Sequence, residues 1–381
     1  MTVNDKTLEN VYIIDKNGNK RRIKRIYIGV NGKAKKIADT GLTLYKAYKQ
    51  PTHLSQARGS LAATSIGDYA LFGGGVYDVY NGITTVYYFY SVVDAYDTSL
   101  VRTTPTPLSK ERQDLSATSI GNYALFGGGY NRSSSSYSFC DVVDAYDTSL
   151  VRTTPTSLSQ ARSVLAATSI GNYALFGGGY NAGVYSVVDA YDTSLVRTTP
   201  TPLSQARSRL AATSIGDYAL FGGGYITDSS NDYRSNVVDA YDTSLVRTTP
   251  TPLSQARDYL AATSIGNVAL FGGGYSSSVV DAYDTSLVRT TPVPLSKARQ
   301  ELSATSIGNY ALFGGGSHSS SNYDVVDAYD TSLVRTTTTH LSSERYYLAA
   351  TSVGNYALFG GGRPSGVSDV VDAYSVQNIL I

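Results

Sequence analysis

Short apolar runs separated by turn residues recur along most of the chain, and the pattern is clearest in the third of seven copies. Four runs there, which we label strands a, b, c and d, cover residues 165–170, 173–176, 187–191 and 195–199. Gly171-Asn172 separates a from b and Asp192-Thr193-Ser194 separates c from d, and both sequences favour tight turns. No run has the 3.6-residue period of a helix. The pattern therefore predicts an all-β chain of short strands.

The copies share a core of fixed length and differ in one loop. Each copy begins with Leu-Ser-x-x-Arg, and the intervals between successive copies are 54, 50, 45, 50, 42 and 46 residues; the leucines are Leu54, Leu108, Leu158, Leu203, Leu253, Leu295 and Leu341. The loop between strands b and c has 16, 12, 7, 12, 4 and 8 residues in the first six copies, and removing it leaves 38 residues each time. A constant core with this period predicts a repeat architecture with units the size of a propeller blade.

The core residues resemble the kelch repeat, in which an apolar run enters a double glycine and is followed by an acidic residue and a tyrosine. The third copy carries these marks as Phe176-Gly177-Gly178, Asp189 and Tyr191, with Arg162 ahead of the blade. The tryptophan of that repeat is missing, because the chain contains none. The resemblance covers residues 44–381 and implies a divergent, bacterial-type kelch fold. We expect a seven-bladed β-propeller built from four-stranded antiparallel blades, with a small β-hairpin module before it.

Charge divides the chain into two parts. Residues 1–50 contain 12 Lys and Arg against 4 Asp and Glu, a net charge of +8, whereas the remainder contains 19 against 26, a net charge of −7. We expect residues 1–40 to form a basic attachment module with strands at 11–14, 23–30 and 33–37 and turns at Asn17-Gly18 and Asn31-Gly32. Residues 41–381 would form the propeller.

Residues 26–37 of the module are similar to a short motif found in tail and tail-associated proteins of bacteriophages and prophages. The basic run at residues 20–25 could contact nucleic acid through phosphates. We favour a solvated strand or a docking surface for an acidic partner, because few aromatic residues lie among these charges.

The seventh copy loses the usual sequence of strand d after Tyr374. Counting back from Leu54 places residues 46–50 where residues 100–104 stand in the next copy, so residues 44–50 have the register of a d strand. We expect this segment to complete the seventh blade and close the ring, which would leave few free strand edges. The alternative is that residues 377–381 form this strand.

The seven copies differ from one another at two kinds of position. One is the b–c loop, and the other is the pair of residues after the repeated arginine, which begins at Gly59, Gln113, Ser163, Ser208, Asp258, Gln300 and Tyr346. Successive connections alternate ends in an up-and-down blade, so both kinds of position should lie on one face. Because strand a is innermost, the pairs should surround the mouth of the central channel.

This face is rich in tyrosine. Of the 33 tyrosines, 13 fall in the b–c loops and three at the mouth, and Ser, Asn, Asp and Gly fill much of the rest. Antibody paratopes have the same composition. We therefore interpret the face as a recognition surface rather than as neutral variation in exposed loops. The candidate ligand-binding residues are Tyr77, Tyr80, Tyr87, Tyr88, Tyr90, Tyr130, Tyr137, Tyr180, Tyr185, Tyr225, Tyr233, Tyr275, Tyr323, Asp114, Arg209, Asp258, Tyr259, Tyr346 and Tyr347.

Other residues that could carry chemistry are better explained by structure. An arginine such as Arg162 and an aspartate such as Asp189 occur in every copy, which predicts a buried ion pair in each blade rather than a single active site. His53, His318 and His340 lack metal-ligand spacing, Cys140 has no nearby histidine, and we expect no cofactor and no metal. Only paired carboxylates such as Asp78 or Asp141 with Asp232 leave glycoside hydrolysis open.

These observations favour a binding protein rather than an enzyme. Our leading hypothesis is a phage or prophage tail-associated adhesin that binds a bacterial surface glycan or protein through the tyrosine-rich face and other particle proteins through the basic module. The alternatives are an intracellular kelch-type interaction scaffold and a glycan-cleaving enzyme. The chain shows no apolar run of 18 residues and no charged-then-apolar start, so we expect no membrane span and no secretory signal, and a place in the particle.

Overall fold

The computed structural model describes residues 12–14, 20–22, 25–30, 33–39, 42–47, 50–80, 82–133, 136–227, 232–363 and 366–378. Throughout these ranges the chain forms strands, turns and irregular loops. None of them contains a helix of the length and apolarity that a membrane crossing requires.

Seven four-stranded antiparallel sheets, each in the order a-b-c-d, form the blades of a propeller, which confirms the predicted fold class. The a strands are Ala62–Ile66, Ser116–Ile120, Ala166–Ile170, Ala211–Ile215, Ala261–Ile265, Ser303–Ile307 and Ala349–Val353. The b strands are Tyr69–Gly73, Tyr123–Gly127, Tyr173–Gly177, Tyr218–Gly222, Val268–Gly272, Tyr310–Gly314 and Tyr356–Gly360. The c strands are Val93–Asp97, Val143–Asp147, Val188–Asp192, Val238–Asp242, Val280–Asp284, Val326–Asp330 and Val371–Asn378. The d strands are Arg102–Thr103, Arg152–Thr153, Arg197–Thr198, Arg247–Thr248, Arg289–Thr290, Arg335–Thr337 and Leu42–Lys46.

Apolar packing joins each blade to the next and closes the ring. Leu175 and Ala190 of blade 3 pack in one cluster with Phe221 and Tyr241 of blade 4. The same arrangement joins blade 7 to blade 1. Strand b is buried on both faces, as sequence analysis predicts, because each sheet lies between two neighbouring sheets.

The glycine triplet allows this close approach. A Cβ on Gly177 would lie 2.7 Å from the ring of Phe221 in the next blade, and one on Gly178 would lie 2.5 Å from the carbonyl oxygen of Arg207. Gly178 also has a φ of 67°, a conformation that side chains disfavour. The triplet is therefore required by blade-to-blade contact.

The predicted ion pair is confirmed in every blade. In blade 3, Arg162 Nη2 lies 2.8 Å from Asp189 Oδ2, and neither side chain is accessible to solvent. Asp189 also pairs with Arg197 of strand d at 2.8 Å and accepts a hydrogen bond from the Ser159 amide at 3.1 Å. Desolvation lowers the pKa of the Arg162 guanidinium, and the charge of Asp189 partly offsets this effect. The aspartate thus holds the Leu-Ser-x-x-Arg segment against its own blade.

The N-terminal strand Leu42–Lys46 pairs with Val371–Asn378 and completes the seventh blade. Lys46 lies opposite Tyr374, as Arg102 lies opposite Tyr96, and its Nζ pairs with Asp372 Oδ1 at 2.5 Å. Counting back from Leu54 instead assigns the place of Arg102 to residue 48, so the observed register differs by two residues. The buried Asp372 requires a cation opposite it, and lysine 46 supplies that charge whereas a tyrosine at 48 would not.

The C-terminal alternative does not describe this blade. Gln377 and Asn378 continue strand c and lie opposite Thr43 and Leu42. Residues 379–381, like residues 48 and 49 of the predicted d strand, lie outside the described residues.

The N-terminal part contains two antiparallel pairs of strands, Tyr12–Ile14 with Lys20–Arg22 and Arg25–Val30 with Lys33–Asp39. The sequence-based strand at 23–30 is thus divided into two shorter strands. Both Asn-Gly turns of the prediction lie outside the described residues.

Replacing Asp189 with alanine is expected to lower the free energy of unfolding by about 3–5 kcal/mol, because Arg162 would keep a buried charge without its carboxylate. Denaturation by urea, followed by circular dichroism, measures the change. Asp217→Asn is the control: Asp217 lies exposed in an a–b turn where blade 3 has Asn172, so a change within about 0.5 kcal/mol is expected. An Asp189→Ala protein as stable as the wild type would contradict the role of the ion pair.

A shortened chain that begins at residue 50 is expected to lose about 2–5 kcal/mol or more, because the buried Leu44 is removed and the edge of Val371–Asn378 is exposed. A chain that begins at residue 40 keeps the strand Leu42–Lys46 and serves as the control. Thermal denaturation compares the two. Equal unfolding midpoints would show that this strand does not stabilise the ring.

Candidate functional site

Backbone hydrogen bonds form a closed ring at the mouth of the channel. In each blade the second residue of the variable pair donates its amide hydrogen to the carbonyl oxygen of the equivalent residue in the preceding blade, over 2.9–3.0 Å. The last bond joins Ser60 to Tyr347 and closes the circle. We call these seven the ring residues: Ser60, Asp114, Val164, Arg209, Tyr259, Glu301 and Tyr347.

All seven ring residues have a left-handed backbone, with φ between 47° and 56°, although none is Gly or Asn. This conformation is uncommon for other residue types, and for β-branched Val164 it is an outlier. Strained backbone of this kind is concentrated at functional sites. Because backbone atoms make the ring bonds, the side chain at each position can change without breaking the ring.

The first residue of each pair lies beneath the loop of its own blade. Gln113, for example, pairs through its backbone with Tyr130, the first residue of the b–c loop. Asp258, a candidate ligand-binding residue, is only 2% exposed and pairs with Arg234 Nε at 2.9 Å and Arg209 Nη1 at 3.7 Å. Its carboxylate therefore supports the loop and is not presented on the surface.

The b–c loops rise from the same end of the blades as the ring, so the predicted variable face exists. Four loops contain two-stranded ribbons: Val76–Tyr80 with Thr85–Phe89, Tyr130–Ser133 with Ser136–Phe139, Tyr225–Thr227 with Asp232–Arg234, and Ser317–His318 with Ser321–Asn322. The a–b and c–d turns form the opposite end, which we call the constant face; Gly171 of one blade contacts Thr243 of the next there.

The candidate tyrosines differ in exposure. Six are exposed at the surface, namely Tyr87, Tyr88, Tyr137, Tyr180, Tyr233 and Tyr275. Nine others are half-buried, namely Tyr77, Tyr90, Tyr130, Tyr185, Tyr225, Tyr323, Tyr259, Tyr346 and Tyr347. The side chain of Tyr80 lies outside the described part of the chain. The face therefore combines accessible rings with rings that support them.

Aromatic side chains from blades 1, 2 and 3 form a continuous series, which we call the aromatic arc: Tyr87, Phe89, Tyr130, Tyr137, Phe139 and Tyr180. Neighbouring ring centroids in it are 5.5–6.4 Å apart. The guanidinium of Arg132 lies 5.8 Å from the ring of Tyr87 and 5.3 Å from that of Tyr137. These separations are typical of favourable aromatic and cation–π pairs.

Arginine–tyrosine stacking occupies the other half of the face. Arg209 lies between the rings of Tyr225 and Tyr259, 4.7 Å from each centroid, and Arg234 lies 3.6 Å from that of Tyr275. Tyr259 and Tyr347 meet across the mouth with centroids 6.1 Å apart. The two halves of the face therefore differ in chemistry although the blades are nearly identical.

A cavity of about 790 Å³ opens between the arc and the ring residues. Its charged lining residues are Asp114, Arg209 and Arg363. Below the ring a second space of about 250 Å³ is lined by the leucines that follow the ring residues: Leu61, Leu115, Leu165, Leu210, Leu260, Leu302 and Leu348. The upper cavity has the size and the mixed lining of a small-molecule site.

Burial perturbs the ionisable groups of the cavity. Desolvation raises the pKa of Asp114 to about 6, although a hydrogen bond from Ser60 and the charges of Arg363 and Arg209 oppose the shift. Desolvation also raises the pKa values of Tyr130 and Tyr347, so both phenols stay protonated at neutral pH. Perturbed groups in a cavity identify it as the candidate site.

The residues considered for other chemistry are dispersed. His53 pairs with Asp369 and His340 with Asp324, each at 3.1 Å, and His318 lies in a short ribbon. Burial raises the pKa of the Cys140 thiol beneath its loop. Among the described residues no group of three His, Cys, Asp or Glu could hold a metal ion.

The carboxylates considered for glycoside hydrolysis have different surroundings. Asp78 pairs with Arg363 at 3.3 Å, Asp141 is half-buried, and the side chain of Asp232 lies outside the described residues.

Several residues of the site were not identified from the sequence. Phe89 and Phe139 continue the arc, and each lies two residues after an exposed tyrosine, a period-2 signal typical of a ribbon with one aromatic face. Gln113 and Arg363 line the cavity as well, but nothing in their local sequence indicates this.

Comparison of the chain with protein-family models and with curated proteins gave no match. The role of the variable face is therefore inferred from its geometry and from the resemblances that its residues carry.

The raised pKa of Asp114 predicts a pH dependence of stability. Between pH 4 and 6 the folded state binds the Asp114 proton and the unfolded state does not, so this group contributes less stability as pH rises through that window. Asp114→Asn should therefore gain about 2–3 kcal/mol relative to the wild type when pH changes from 4 to 7. Urea denaturation of both proteins at the two pH values measures the difference. A constant difference would exclude the shift, and Asp217→Asn provides the control.

Proposed function

We propose that this chain is an adhesin, a tail-associated receptor-binding protein of a phage or prophage that recognises a bacterial surface ligand through its variable face. The observation that carries the proposal is the aromatic arc beside the 790 Å³ cavity. Exposed aromatic rings next to a concave site are typical of recognition surfaces, because they offer large contact areas and lose little conformational entropy on binding.

The distribution of constraints supports a binding role. Residues of the core are held by their side chains, as Arg162 and Asp189 are, and they repeat in all seven copies. Ring residues and loops are held by backbone bonds, and they vary. A rigid scaffold that presents variable loops on one face is a common architecture for binding.

The path of the chain supports attachment at the other end. Strand c of blade 7 runs from the variable face to the constant face, and Leu42 lies opposite its last described residue, Asn378. The basic N-terminal part therefore joins the propeller at the constant face. This polarity suits an adhesin, since the module would bind the particle while the arc points away from it. The motif-like residues 26–37 support the same assignment.

Binding to whole bacteria tests the proposal. Labelled protein is incubated with a panel of bacterial strains, and bound fluorescence is measured by flow cytometry. A triple variant with Tyr87, Tyr137 and Tyr180 changed to valine should lose at least about tenfold in affinity for the strains that the wild type binds, because three exposed rings are removed.

The matched control has three tyrosines of the constant face changed to valine: Tyr123, Tyr173 and Tyr218. Blade 5 has Val268 at the equivalent position, so the scaffold tolerates the change. Equal losses in the two triple variants, or no binding to any strain, would argue against a cell-surface receptor and in favour of an intracellular interaction scaffold.

A further inference from the structure

We propose that the cavity beside the aromatic arc binds one neutral pyranose unit of a glycan, an inference that rests on the adhesin function and specifies its ligand. The sugar face would stack on the arc while its hydroxyl groups bond to the polar floor.

The arc provides the stacking wall. Tyr137 is 57% exposed, Tyr87 40% and Tyr180 38%, and all three line the cavity. Their supporting neighbours Phe89 and Phe139 hold them from behind. The face of an aromatic ring carries partial negative charge, and the C–H groups on one side of a pyranose carry partial positive charge. The tyrosines can therefore stack on a sugar without tryptophan.

The floor presents hydrogen-bond donors and acceptors side by side. Asp114 provides a carboxylate acceptor, and Arg209 and Arg363 provide donors. Gln113 is only 6% exposed, and its Oε1 has no hydrogen-bond partner among the described residues. Buried polar atoms are rarely left unpaired, and a missing ligand or water is a usual reason. Hydroxyl groups both donate and accept, so vicinal hydroxyls would satisfy this mixed floor.

The charges of the cavity disfavour ionic ligands. Arg363 is already paired with Asp78 at 3.3 Å, and Arg209 lies 3.7 Å from Asp258. An acidic sugar would have to displace these carboxylates and would also face Asp114. An amino sugar would meet two guanidinium groups. A neutral sugar encounters neither repulsion, because it brings no formal charge.

The shape of the cavity favours a small protruding unit over a protein surface. Protein partners usually bury about 800 Å² on each side of a broad interface. The space beside the arc is instead concave and lies within the range of small-ligand sites, about 300–1,000 Å³. A branch or terminal sugar of a surface polysaccharide would fit it.

An array of immobilised neutral, acidic and amino saccharides tests the inference with the full-length protein. We expect the bound glycans to share a neutral pyranose. The Kd of a soluble methyl glycoside of that sugar is then measured by calorimetry. Tyr137→Val should weaken binding about three- to tenfold, and Gln113→Ala should weaken it as well, with an unchanged unfolding midpoint as the check on folding.

Tyr173→Val is the control, because it makes the same change on the constant face and should leave the Kd unaltered. Binding of no saccharide, binding of acidic or amino sugars alone, or equal Kd values for Tyr137→Val and the wild type would overturn the inference. Cell binding separates the two levels. Cells bound without any saccharide leave the adhesin function intact and refute the sugar site, whereas a bound sugar without cell binding refutes the adhesin function.

Discussion

The buried aspartate of strand c is the interaction on which the rest of the structure depends. Asp189 holds Arg162, Arg197 and the Ser159 amide, and six equivalents do the same in the other blades, with Lys46 in place of the outer arginine in blade 7. Two charges buried together add little net stability, because desolvation offsets much of their attraction. What the cluster provides is position: once the arginine is anchored inside the blade, the next two residues must lie at the channel mouth.

This anchoring explains how a nearly invariant scaffold can carry a variable face. Arginine, aspartate, phenylalanine and the glycines are required for their side chains or for the lack of one, as Gly177 against Phe221 illustrates. The ring residues are required only for their backbone bonds. Valine, arginine and tyrosine can therefore occupy equivalent ring positions, although each adopts a left-handed conformation that an isolated chain would disfavour. The anchors on either side offset that local strain.

Comparison of the seven copies predicts the strands, the blade number, the two faces and the Arg–Asp pair, because every error of alignment would have to recur seven times. Features that occur once were less predictable. The register of Leu42–Lys46 depends on an electrostatic match between Lys46 and Asp372, and a count along the chain cannot detect that match. The burial of Asp258 depends on Arg234, which reaches it from a loop of different length in the neighbouring blade. Left-handed residues such as Val164 carry no sequence signal, since propensity alone would place glycine there.

Loop length accounts for the asymmetry of the site. The b–c loops of blades 1, 2 and 3 have 16, 12 and 7 residues and supply the whole aromatic arc, whereas blade 5 has only 4. Short loops cannot extend over the mouth, so on that side Arg209 and Arg234 stack on nearby tyrosines instead. Seven identical loops would have produced seven equivalent weak sites around a symmetric channel. Unequal loops on a closed ring produce one eccentric cavity, and such a cavity can distinguish the ends and faces of an asymmetric ligand.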